Sequence, residues 1–234
     1  MKKSIALLLC LVMVFALSVV TFADNRVLTN INEMACAQRG NEDVCIYKAK
    51  LYEDGVNPTD IYLVVCEGMD FTTFDLLTAR SITNATRIAL SDEYNVYVRE
   101  VVSMVLKYVP KGAKIVFNGR SMGGMVVEQT IAQKVIKDNY EVLYSLAIAS
   151  PYIITKGCKE GTLRRFVDKA DIVPYISIAG LANPTIGNVA IERSGYVLTV
   201  HMDGYIYGKC WQKYDALGVK NGKAKIELIE VVSE

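Results

Sequence analysis

From about residue 44 to the end of the 234-residue chain, short runs rich in β-branched and aromatic residues alternate with helical patterns. Strands separated by helices pack as layers, so the alternation predicts an α/β architecture: a mostly parallel central sheet flanked by helices, with antiparallel strands at the N-terminal side. Strands are expected at "VCIYKAKLY" (44–52) and "IYLVVCEG" (61–68), which the turn "EDGVNPTD" makes antiparallel neighbours. Tyr94, Val98, Val101, Val105 and Val109 recur every three or four residues among Arg99, Glu100, Ser103 and Lys107. That spacing is an amphipathic helix, ended by Pro110 and Gly112. "KIVFN" (114–118) reads as a strand, and "GGMVVEQTIAQKVIKDN" (123–139) as a helix with Val127, Ile131 and Val135 on its buried face. "VLYSLAIAS" (142–150) is apolar enough for a central parallel strand. "TLRRFVD" (162–168), "GYVLTV" (195–200) and "KAKIELIE" (223–230) complete the set.

With 52% hydrophobic residues and only 5 prolines, the chain can bury a substantial core and reads as one domain spanning 24–234. Its 26 basic and 25 acidic residues leave a formal net charge of +1, which excludes the basic field that nucleic-acid binding requires. Lys2 and Lys3, a long apolar run from Ile5, and Thr21-Phe22-Ala23 before Asp24 have the order of a secretory leader, residues 1–23. The same run is long enough to stay in place as an uncleaved membrane anchor. A lipoprotein signal at Cys10 is disfavoured by Leu9 and Leu11, where small residues belong. Export would expose Cys36, Cys45, Cys66, Cys158 and Cys210 to oxidising conditions. A Cys36–Cys45 bridge across "CAQRGNEDVC" is expected, Cys158 with Cys210 is a second candidate, and Cys66 in "IYLVVC" reads as buried and inert.

Between a predicted strand and a predicted helix, Gly119, Ser121 and Gly123 form G-x-S-x-G. A serine on so tight a turn takes a strained backbone, and glycines on either side let neighbouring elements approach. The turn also aims the Met122 N–H and the positive end of the helix at the serine oxygen, where negative charge develops in acyl transfer. Serine needs a base, and His201 is the one histidine in the chain. It follows "YVLTV", at the end of a strand or in the loop after it, where catalytic bases are commonly presented. An acid to orient it is sought between the two. "RRFVDKADIVPYI" offers Asp168 and Asp171, and Asp171 is favoured because Ile172-Val173-Pro174 would hold its loop fixed.

Three segments resemble the fungal-type (class 3) lipases of the α/β-hydrolase superfamily. "VFNGRSMGG" is similar to that family's "GHSLGG" elbow, "FVDKADIVPYI" to its "NxxDIVP" segment, and "VVCEGMDFTTFDLLT" to its "FRGTxxxxDWLxD" strand and loop; the resemblance covers roughly residues 60 to 205. It implies the α/β-hydrolase fold, with Ser121 as nucleophile, Asp171 as acid, His201 as base, and Met69 with Met122 as oxyanion donors. The chain departs from the family in carrying Arg120 for His, Met122 for Leu, and Met69 where a Thr or Ser hydroxyl would help orient the site. Arg120 adds a charge that must reach solvent or a carboxylate. The resemblance also places a short lid within residues 70–92, whose Phe71, Phe74, Leu76 and Leu77 serve an acyl pocket or the core equally well.

These readings lead to the expectation of a secreted serine hydrolase acting on lipid or other small carboxylic esters, in transient contact with a lipid interface. One histidine and scattered carboxylates give no ligand cluster, so no metal or organic cofactor is expected. A peptidase, thioesterase or acyltransferase would use the same triad. The contrasting alternative is a secreted binding protein that keeps the fold without turnover.

Overall fold

The computed structural model describes residues 22–38, 43–68, 94–151, 162–175 and 188–233. Met69, the expected lid at 70–92 with Phe71, Phe74, Leu76 and Leu77, Cys158, and residues 1–21 of the expected leader lie outside them.

The strands form one mixed sheet. Its members are β1 (Phe22–Ala23), β2 (Val27–Leu28), β3 (Val44–Tyr52), β4 (Thr59–Cys66), β5 (Lys114–Arg120), β6 (Glu141–Ile148), β7 (Thr162–Asp168), β8 (Asn188–Glu192) and β9 (Lys225–Val231). The order across the sheet is β1-β9-β3-β4-β5-β6-β7-β8, with β2 also on β9. From β4 to β8 every pairing is parallel. β1, β2 and β3 each pair antiparallel with β9, and β3 pairs antiparallel with β4. The expected hairpin is thus present, with Val44 opposite Cys66 and Leu51 opposite Thr59. Phe22 and Ala23 in β1 are the last two residues of the expected leader.

Helices cover both faces, and strand alternation divides the core between them. Along β5, Ile115 and Phe117 face α2 (Val96–Tyr108), α3 (Met122–Thr130) and α4 (Lys134–Asn139), among Val98, Val101, Val105, Val127 and Ile136. Val116 faces the other way, toward α1 (Ile31–Ala35) and the C-terminal turns, among Met34, Phe166, Tyr205 and Trp211. Among the described residues no helix is long and apolar enough to cross a membrane.

Three expectations change. The helix expected over 123–139 is two helices, because the Gln133 side chain donates to the Gln129 carbonyl (3.1 Å) while the Gln133 N–H turns to Thr130 (3.0 Å). The segment 195–200 is not a strand: β7 pairs with Asn188–Glu192 instead, Gly195 has φ +94°, and Leu198 is fully exposed. No disulfide joins Cys36 to Cys45, because Cys36 is exposed at the end of α1 while Cys45 is turned into the core beside Met34, Ala37 and Tyr47. Cys210 is likewise a thiol. Cys66 is buried, and burial pushes its thiol well above the ordinary range, as an inert core cysteine requires.

Candidate active site

Ser121 lies between β5 and α3 with φ 54° and ψ −124°, a region that non-glycine residues enter only when their surroundings force them. The forcing contacts are identifiable. The Ser121 N–H donates to the Ile148 carbonyl (2.8 Å), and its own carbonyl accepts from Gly124 (3.1 Å). A Cβ on Gly119 would lie 2.4 Å from the Gly123 carbonyl oxygen, and one on Gly123 would lie 2.2 Å from the Cys66 carbonyl oxygen. Both glycines of the motif are therefore required by backbone approaching backbone. Gly68, just past β4, is equally constrained, since its Cβ would meet the Ser121 Cβ at 2.8 Å. A second residue with positive φ, Ala149 at +54°, directly follows the adjacent strand β6.

Asp171 follows β7 by a short turn and is buried. Asp168 ends β7 and builds that turn: its carboxylate accepts from the Ala170 N–H (2.9 Å) and, across the gap, from the Ser194 N–H (2.7 Å). His201 sits in a five-residue π-helical turn, Val200–Gly204, rather than at a strand end. Such turns widen the helix locally and recur at functional sites. Gly204 allows this one, because a Cβ there would meet the Ser194 Oγ at 2.7 Å.

The three side chains meet. His201 Nε2 is 2.9 Å from Ser121 Oγ, and His201 Nδ1 is 2.9 Å from Asp171 Oδ2. Asp171 acts as acceptor throughout: Oδ1 takes the Val173 N–H (3.0 Å) and Oδ2 takes the Tyr205 hydroxyl (3.0 Å). The proton on His201 therefore belongs on Nδ1, which leaves the Nε2 lone pair facing the serine hydroxyl. The imidazole is partly exposed and the carboxylate is not. Burial keeps bulk water from the acid. Met122 is the first residue of α3, so its N–H is one of the donors that have no intrahelical acceptor.

Tyr205 is the site residue that sequence reasoning gave no role. Its hydroxyl accepts from the Asp168 N–H (2.7 Å) and donates to Asp171, while its ring stacks on Trp211 at 5.4 Å. Burial pushes the phenol well above the ordinary tyrosine range, which keeps it a donor. The available signal was its position four residues after His201, one helical turn away.

Arg120 is partly exposed, so its charge has some access to solvent. Its side chain is half-buried near Cys36 at the end of α1, and among the described residues Nη1 has no hydrogen-bond partner. Among the described residues no group of three or more His, Cys, Asp or Glu side chains could hold a metal ion. No family model, curated protein or solved structure matches the chain.

Proposed function

We propose that the chain is a serine hydrolase of carboxylic esters, built on the α/β-hydrolase fold and akin to the fungal-type lipases, that works outside the cytoplasm. The observation that carries this reading is the unbroken relay from a strained serine through both nitrogens of one imidazole to a buried carboxylate. Strain at the nucleophile costs about 1–3 kcal/mol and persists only where neighbours impose it, so a merely structural turn would have little reason to keep it. The parallel order β4 to β8, with the serine just after β5, supports the fold assignment.

In this mechanism Ser121 Oγ attacks the ester carbonyl carbon while His201 Nε2 takes its proton. Asp171 stabilises the imidazolium through Nδ1–H. The tetrahedral oxyanion accepts from the Met122 N–H and, by the family resemblance, from that of Met69. Collapse expels the alcohol, which takes the proton from Nε2. Water then repeats the sequence on the acyl-enzyme, releasing the acid and restoring Ser121.

The test is labelling of folded protein by a fluorophosphonate, together with turnover of p-nitrophenyl esters of increasing chain length. A single adduct on Ser121 is expected, with turnover falling on the order of 10⁵-fold in Ser121→Ala and in His201→Ala. An unlabelled Ser121, or a rate indifferent to both substitutions, sinks the proposal.

A further inference from the structure

The Glu67–Gly68 peptide presses on the elbow from β4. A Cβ on Gly123 would meet the Glu67 carbonyl oxygen at 2.5 Å, and one on Gly68 would meet the Ser121 Cβ at 2.8 Å. What fixes this peptide comes from α2. The Tyr97 hydroxyl lies 2.9 Å from the Glu67 carbonyl oxygen and 2.6 Å from that of Asp43, which also accepts the Glu67 N–H (2.9 Å). One hydroxyl proton shared by two carbonyls ties the start of β3 to the end of β4.

The first turn of α2 is itself fastened to the elbow helix. Asn95 caps α2 by accepting from the Val98 N–H (3.1 Å), and its amide donates to Gln129 of α3 (3.0 Å). From α3 the contacts run through Asn95, Tyr97, Glu67 and Gly68 to Ser121, the residue from which α3 starts. Burial pushes the Tyr97 phenol far above its ordinary value, so it remains a donor across the working pH range.

We infer that Tyr97 is a positioning residue: its hydroxyl holds the Glu67–Gly68 peptide against Gly123 and Ser121, and so sets the geometry in which the serine attacks the ester carbonyl. The inference rests on the hydrolase reading. Without the hydroxyl the peptide can rotate, and a loss of alignment there weakens the transition state while leaving substrate binding elsewhere unchanged.

Tyr97→Phe tests this beside Tyr140→Phe. The Tyr140 hydroxyl bonds the Val109 (3.1 Å) and Val105 (3.3 Å) carbonyls at the far end of the same helix, away from the serine. Ester turnover, affinity for an aryl trifluoromethyl ketone, which forms a tetrahedral oxyanion on serine, and melting temperature are measured for each. Tyr97→Phe should lower kcat about tenfold at unchanged KM and weaken the ketone by the same factor, whereas Tyr140→Phe should lower only the melting temperature. Unchanged kcat and ketone affinity in Tyr97→Phe, or losses that merely follow melting temperature in both variants, overturn the positioning role. Wild-type labelling separates the two ideas: an adduct on Ser121 with an indifferent Tyr97→Phe overturns this inference alone, and no adduct overturns the hydrolase reading with it.

Discussion

Asp171 accepts three hydrogen bonds, from His201, Tyr205 and Val173, and their directions leave its carboxylate no freedom to turn. Removing the Tyr205 hydroxyl loosens the acid and strips the Asp168 N–H of its acceptor. Tyr205→Phe should therefore cost roughly tenfold in kcat with KM unmoved, well short of the ~10⁴-fold that altering a triad acid itself can cost. It should also cost about 1–3 kcal/mol of stability, read by denaturant titration, because a buried N–H is left unpaired. At this scale the sequence was readable where few letters were on offer: the serine stood in a G-x-S-x-G turn, and only one histidine was present to meet it. Tyr205 was not readable as the acid's partner, since that role arises when α1, the π-helical turn and Trp211 close around it.

The strand–turn–helix element was legible because its constraint is local: β-branched residues before the serine, glycines on each side, a helix pattern after. Its companion strain at Ala149 was not, because nothing in "AIASP" shows that the chain takes a positive φ directly after β6, beside the elbow. Ala149→Gly should relieve a positive φ and stabilise the protein by up to about 1 kcal/mol, after the entropy of the freer unfolded chain is subtracted. Gly123→Ala should prevent folding, since the added methyl meets backbone carbonyls that cannot withdraw. Chemical denaturation of the first and soluble yield of the second check these signs. The two elements misjudged from the sequence failed for tertiary reasons. "GYVLTV" has strand propensity with no neighbouring strand to pair with, and the break after Thr130 depends on where the Gln133 side chain goes.

Across the whole molecule, the α/β layering and the parallel centre followed from the alternation of patterns. The N-terminal edge did not, because β1 and β2 are two residues each and carry no period. The finished fold buries several phenols. Desolvation raises Tyr47, Tyr97, Tyr205 and Tyr214 above the ordinary tyrosine value. The sign is that of a group holding its proton longer when folded. Their contribution is complete below the unfolded value of about 10 and is lost as pH rises from there toward the folded values. Denaturant midpoints should fall above pH ~10, and the tyrosinate absorbance of the buried phenols should appear only together with unfolding. The sheet order also constrains how the fold closes. β9 lies between β3 and the short N-terminal strands, so residues at opposite ends of the described chain must meet before the sheet is complete. Without Lys225–Val231, β2 has no strand to pair with and one side of β3 is an open edge. A variant truncated before Lys225 should therefore be degraded or aggregate rather than accumulate as folded protein, read by its soluble yield and protease resistance.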